Sequence, residues 1–141
     1  MIWMDTAVCE IGVKEVQGNQ DNSRILEYLS TVKKGFLGGI LHDEIAWCSA
    51  FVNWVMNMSG LEGTNNPAAR SWLKWGKENI CKVGSIVVLR RGYSWQGHVG
   101  FVSKVGEYQV RVLGGNQNNS VCESWYDKSL ILGTRTPSYN L

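Results

Sequence analysis

No apolar run in this chain approaches the roughly 20 residues needed to cross a membrane, so no membrane role is expected. Charge is also scarce: charged residues are 18% of the total and the net charge is +2. Nucleic-acid binding needs a concentrated basic patch, and the only basic doublets, Lys33-Lys34 and Arg90-Arg91, read as solvated turns. Low charge beside a hydrophobic content of 44% excludes disorder and supplies a real core. The four cysteines, at positions 9, 48, 81 and 122, form no CxxC pair, which argues against a zinc knuckle; no metal and no cofactor are expected. Cys9, Cys81 and Cys122 read as buried small hydrophobes, with a Cys81–Cys122 bond left open for a protein working outside the cytoplasm. The start, Met1-Ile2-Trp3-Met4-Asp5, has neither a basic nor an apolar signal region, so a chain made in the cytoplasm without a Sec signal is expected.

What the chain does have is a clear order of patterns. With 141 residues and no linker, repeat or low-complexity stretch, residues 1–141 are expected to form a single domain, and a monomer. A short amphipathic helix is predicted from Asp5 to about Val13, with Ala7, Val8 and Ile11 inward. Asn22 or Ser23 caps a second, with Ile25, Leu26, Leu29 and Val32 on its buried side, before Gly35 and Gly38-Gly39 break the chain. The third is the clearest: Trp47, Phe51, Trp54, Val55 and Met58 recur at helical spacing, Asp43 and Glu44 suit its start, and Gly60 ends it. Asn66-Pro67 starts a fourth helix with Ala68, Ala69, Trp72 and Trp75 inward. Strands follow at Ser85–Leu89, His98–Ser103, Gln109–Leu113 and Leu130–Arg135, with a hairpin turn at Val105-Gly106-Glu107-Tyr108. Helices first and an antiparallel sheet after them is an α+β plan.

Two segments carry the chemistry. Trp47-Cys48-Ser49-Ala50-Phe51 puts a cysteine in the first turn of the third helix, where unpaired N–H groups favour a thiolate and stabilise an oxyanion. On its own Cys48 reads better as core, beside the large apolar Trp47 and Phe51. Gly97-His98-Val99-Gly100-Phe101 puts one of only two histidines at a strand start, with Gly97 and Gly100 leaving room for a substrate chain. A lone strand histidine is usually structural, but paired with Cys48 it becomes a general base. A third group must hold the imidazole, and Leu113-Gly114-Gly115-Asn116-Gln117-Asn118-Asn119 offers amides. A three-residue turn centred on Glu107 sets His98 opposite Asn116; a two-residue turn sets it opposite Gly115, with Gln117 the rival orienter. Asp43, five residues before Cys48, either positions substrate or is a helix-start charge. Trp95 and Tyr93 are candidates for the cleft rim, Trp47 for an auxiliary or substrate-binding role, and Arg70 for a substrate carboxylate.

Trp-Cys-Ser-Ala-Phe-Val-Asn, Ala-Arg-Ser-Trp-Leu-Lys-Trp-Gly, Gly-His-Val-Gly-Phe-Val and Leu-Gly-Gly-Asn-Gln together resemble a compact branch of the NlpC and CHAP cell-wall hydrolases, over about Ala7 to Pro137. The resemblance implies a papain-like core with N-terminal helices on a small antiparallel sheet. It implies Cys48 as nucleophile, His98 as base and Asn116 as the third polar residue, acting on amide bonds of peptidoglycan peptides at the bacterial wall. Trp47 stands where many NlpC members have Asp, and an amide where many have a third histidine; both match the CHAP side better. Such domains occur in phage lysis proteins and in injected toxins, the latter implying a cognate immunity protein. The alternatives are acyl transfer to an amine by the same thioester, a non-catalytic wall-binding module, and, more distantly, zinc held by Cys48, His98 and other cysteines.

Overall fold

The computed structural model describes residues 1–16, 22–32, 47–93 and 96–138. The expected break at Gly35 and Gly38-Gly39, the doublet Lys33-Lys34 and the pair Asp43-Glu44 lie outside them. Helix α1 (Ile2–Val8) buries Trp3 and Ala7, and the Trp3 indole N–H donates to the Gly84 carbonyl at 2.9 Å. It ends earlier than its apolar pattern predicts, and Val8 and Ile11 are exposed. The cause is a competing partner. Gly12, at φ 104, turns the chain so that its N–H donates to Val121 O at 3.0 Å, and Glu15 N–H donates to Asn119 O at 2.8 Å.

Helix α2 (Ser23–Leu29) has the expected cap: Asn22 Oδ1 accepts from the N–H groups of Arg24 and Ile25 at 2.8 and 3.3 Å. Such a cap contributes about 1 kcal/mol. Helix α3 (Cys48–Met58) is the centre of the molecule, buried without interruption from Cys48 to Met56. Its polar Ser49 and Asn53 are buried with partners: Ser49 Oγ donates to Asn66 O at 2.7 Å, and Asn53 Oδ1 accepts from Asn65 N–H at 2.8 Å. Those bonds staple the following loop to the helix. Met58, expected inward, is 63% exposed because it lies past the last core contact, and Gly60 at φ 81 ends the helix. The fourth predicted helix is a six-residue 3-10 helix, Ala69–Lys74. Asn66 spends its side chain on the Ala68 N–H at 2.8 Å rather than on a longer α-helix. Trp72 is fully buried there and Trp75 partly.

The sheet has six antiparallel strands in the order β1-β6-β2-β3-β4-β5: β1 (Lys77–Glu78), β2 (Ile86–Arg90), β3 (Gly97–Val105), β4 (Gln109–Gln117), β5 (Ser120–Asp127) and β6 (Ile131–Thr136). The α+β plan is therefore the one expected, but β1 and β5 were not, and β4 runs on through residues read as loop. Strand β2 is buried on both faces. Ile86 and Val88 join the helices in one cluster with Trp47, Phe51, Val99, Phe101 and Leu113. Val87 and Leu89 join Val102, Val110 and Val112 on the other face, where Tyr126, Leu130 and Ile131 cover them. Each large apolar side chain so buried contributes roughly 1.5–3 kcal/mol. All four cysteines are free; Cys9 is exposed and Cys81 and Cys122 half-buried, so none of the three is the buried hydrophobe expected. Cys9 lies just past the end of α1, and Cys122 on the edge strand β5.

Candidate active site

Cys48 is the first residue of α3, and its sulfur meets His98, the second residue of β3. Packing of α3 across β3 and β4 makes this encounter, because Phe51 stacks edge-on against Phe101 at 6.3 Å. Burial works against the Cys48 thiolate, but the hydrogen bond and charge of His98 and the N–H groups of Val99 and Ser49 bring its pKa below the ordinary thiol value. Burial likewise opposes the imidazolium, yet Cys48 and Gln117 hold the His98 pKa above its ordinary value. The two shifts stabilise the same pair, thiolate and imidazolium. Each residue is 5% exposed.

The other side of the ring is held by an amide whose orientation is fixed. Gln117 Nε2 donates to Val112 O at 3.2 Å and Cys122 O at 2.7 Å. Gln117 Oε1 therefore faces the opposite way and accepts from Tyr126 OH at 3.0 Å. The same oxygen lies 2.8 Å from His98 Nε2, so Nε2 carries the proton and Nδ1 is left for the thiol. Tyr126 lies tilted over the imidazole at 5.6 Å. Burial, then the nearby Cys122 and Cys48, push its pKa up to about 12, which keeps the phenol a donor.

Among the amides, then, Gln117 bonds the imidazole and Asn116 does not. The register is the reason. The pairs beside the turn, Val105–Val110 and Lys104–Arg111, are one residue off the expected register; a bulge between Val102 and Lys104 restores it at Val102–Val112 and Phe101–Leu113, and that register carried on would bring Asn116 to His98. The β4–β5 ladder shifts between Gly114 and Gln117, and Asn116 sits there at φ 58. This bulge carries Gln117 to the imidazole instead. Asn116 remains close, in the wall of a cleft of about 410 Å³ that it shares with His98, Gln117, Arg91 and Tyr126. The glycine pair is what lets the strand approach: a Cβ at Gly114 would lie 2.9 Å from Gln117 Oε1, and one at Gly115 2.6 Å from the Trp47 ring.

Trp47 does not line the cleft beside His98. It is fully buried, stacks on Tyr28 at 5.8 Å and donates its indole N–H to Glu15 Oε1 at 2.7 Å, bracing the residue before the nucleophile. Tyr28 is itself fixed by its OH donating to the buried Glu10 at 2.6 Å. Asp43 and Trp95 lie outside the described residues. Gly97 and Gly100 face protein rather than open space: a Cβ would lie 3.2 Å from Arg70 Cγ and 2.5 Å from Val112 Cγ1 respectively. Arg70 is tied to the loop before His98, its Nε donating to Gln96 O at 2.8 Å. The sequence reading missed Tyr126 because it missed β5. A signal existed: Asn118-Asn119, both at positive φ, is the tight two-residue turn that announces a returning strand.

The CHAP domain family profile matches residues 41–116, a span that holds Cys48, His98 and Asn116. Among solved structures, the chain is similar to a Staphylococcus aureus protein described as similar to a lipoprotein of the NLP/P60 family, with a TM-score of 0.55 and 15% identity. The match covers 99% of this chain and 41% of that one, so this chain spans less than half of its neighbour's length. At that identity the likeness is one of fold, the papain-like fold expected. No curated protein matches the chain.

Proposed function

Taking as premise that the chain belongs to the CHAP domain family, we propose that it hydrolyses an amide bond in bacterial cell-wall peptides. Family membership supports a peptidoglycan hydrolase-like function. The observation that carries the finer reading is that His98, which favours the Cys48 thiolate, is bonded to Gln117, which in turn accepts from Tyr126. In it, Cys48 is the nucleophile, His98 the acid and base, and Gln117 the group that fixes the tautomer. The thiolate attacks the amide carbonyl, and the oxyanion is held by the Cys48 backbone N–H, one of the unpaired donors of the first helical turn. His98 gives its proton to the departing amine, leaving a thioester. It then takes a proton from water, whose oxygen attacks the thioester, releasing the acid and regenerating the thiolate–imidazolium pair.

Convergence of the three described α-helices on one sheet face supports a single domain over residues 1–141, and we take that domain to act as a monomer. The site of action is the wall, reached as a phage lysin or an injected antibacterial effector; in the second case a cognate immunity protein covers the cleft. Purified sacculi digested with wild type and with Cys48→Ala, and read by mass spectrometry, test the proposal. Wild type releases fragments each carrying one added water, and Cys48→Ala releases none. A new cross-link in place of added water assigns transfer to an amine instead, and sacculi of several wall types left unchanged overturn the reading.

A further inference from the structure

Helix α3 starts without a capping side chain: Trp47 is its N-cap residue and its side chain makes no bond to the first turn. The place of that start, and so of Cys48, is set through the Trp47 ring instead. The buried indole packs on Tyr28 and on the backbone of β4 at Gly115, and its N–H donates to Glu15 Oε1 at 2.7 Å. Glu15 is also held from the other side of the site. Its backbone N–H donates to Asn119 O at 2.8 Å, in the turn between β4 and β5. Beside it Lys14 pairs with Ser120, and Val13 O accepts from Val121 N–H at 2.7 Å. Ser120 Oγ in turn donates to Gln117 O at 2.9 Å, which ties this short pairing to the residue that holds His98. Glu15 therefore reaches both partners of the imidazole, the amide side with its main chain and the sulfur side with its carboxylate. A buried indole N–H needs only some acceptor; what is particular here is where that acceptor is anchored.

We propose that Glu15 is a positioning residue of the active site, which fixes the Trp47–Cys48 helix start against the β4–β5 turn and thereby keeps the sulfur in reach of His98. The inference rests on the peptidase reading for its effect on turnover, while its effect on Cys48 is measured without a substrate. With the Glu15–Trp47 bond lost, sulfur and imidazole part. The contact that favours the thiolate weakens, and burial then raises the Cys48 pKa with less to oppose it. Loss of the Glu15 charge acts in the opposite direction, because a nearby carboxylate disfavours a thiolate. Glu15→Ala and Glu15→Gln both remove that charge, but only glutamine keeps an acceptor for the indole. The difference between the two variants thus isolates position from charge.

The test is alkylation by iodoacetamide as a function of pH, read by mass spectrometry at the peptide that carries Cys48, so that Cys9, Cys81 and Cys122 do not interfere. Glu15→Ala is expected to move the rise of the Cys48 rate to higher pH by about one unit, the size of a weakened contact between opposite charges. Glu15→Gln keeps the rise near its wild-type place. Trp47→Phe, which leaves a ring in the core and removes the N–H, carries the test should Glu15→Ala not fold. It is expected to move the rise in the same direction, and the double variant to go no further than either single one. A rise left in place in Glu15→Ala or in Trp47→Phe overturns the proposal whatever the change in Tm, because the bond then serves stability alone. A Glu15→Gln profile displaced as far as that of Glu15→Ala overturns it too, since the acceptor then makes no difference. On a wall peptide, Glu15→Ala is expected to lower kcat roughly 10-fold with KM unchanged, as a displaced nucleophile does. A displaced alkylation profile with no wall peptide cleaved by wild type supports the positioning role and counts against the peptidase reading, so the two failures are distinct.

Discussion

The two nitrogens of His98 sit in contrasting surroundings. Nδ1 is the nitrogen that the Gln117 bond leaves for Cys48, at a helix start where the Val99 and Ser49 N–H groups favour the thiolate. Nε2 faces one oxygen of an amide, itself held by two carbonyls and a phenol. On the first side a proton is meant to move. On the second every polar atom has a fixed donor or acceptor role, so the proton stays. The difference separates groups that take part in bond making from groups that only keep the ring in one tautomer, and it gives the two sides different sensitivities to mutation.

The largest effect belongs to the sulfur side. Cys48→Ala and His98→Ala are each expected to lower kcat/KM by ~10⁴ or more, and the double variant to be no worse than either single one, because the two act as a unit. Steady-state rates on a wall-peptide substrate check this, with circular dichroism to confirm the fold. Additive losses would break the comparison, since they would mean the two residues work separately.

Gln117→Leu probes the other side and is expected to cost ~10²-fold in kcat/KM, the scale of a misplaced catalytic group. It also has a signature in pH. The active form is the thiolate–imidazolium pair, so kcat/KM rises as Cys48 loses its proton and falls as His98 loses its own. The wild-type rise lies below the ordinary thiol range and the fall above the ordinary imidazole value. Gln117 is one of the groups raising the His98 pKa, so removing its oxygen moves the falling limb to lower pH. A falling limb left in place would show that Gln117 supports packing alone.

The same contrast governs what was legible in the sequence. The sulfur side was, because α3 advertises itself by apolar spacing from Trp47 to Val55 and a stop at Gly60, and β3 by its β-branched run. The hairpin register between β3 and β4 was legible only in part: next to the turn Val105 pairs Val110 and Lys104 pairs Arg111, and a bulge between Val102 and Lys104 shifts the ladder to the expected pairs Phe101–Leu113 and Val102–Val112. The amide side was not. It depends on a bulge, on three asparagines at positive φ, and on β5, whose mixed polar and aromatic residues show weak alternation. One inserted residue in a ladder changes which side chain reaches the imidazole, and composition carries no trace of it. The role of Trp47 was not legible, because an aromatic residue beside a nucleophile reads the same whether it binds substrate or braces the site from within. Its contacts to Glu15, Tyr28 and Gly115 are all distant in the chain.

The smallest expected effect sharpens the comparison most. Tyr126→Phe keeps the ring over His98 and removes only the hydroxyl that donates to Gln117 Oε1. The amide still has its two carbonyl acceptors, Val112 O and Cys122 O, so its orientation survives. The loss should therefore be that of one hydrogen bond, roughly 2- to 10-fold in kcat/KM. With a pKa of about 12 the phenol stays protonated across the working range, so the pH profile should keep its limbs where they are in wild type. A loss as large as that of Gln117→Leu would place Tyr126 among the groups that set the tautomer. No loss at all would show that the two carbonyls alone fix the amide, and that the outer hydroxyl serves the cleft rather than the ring.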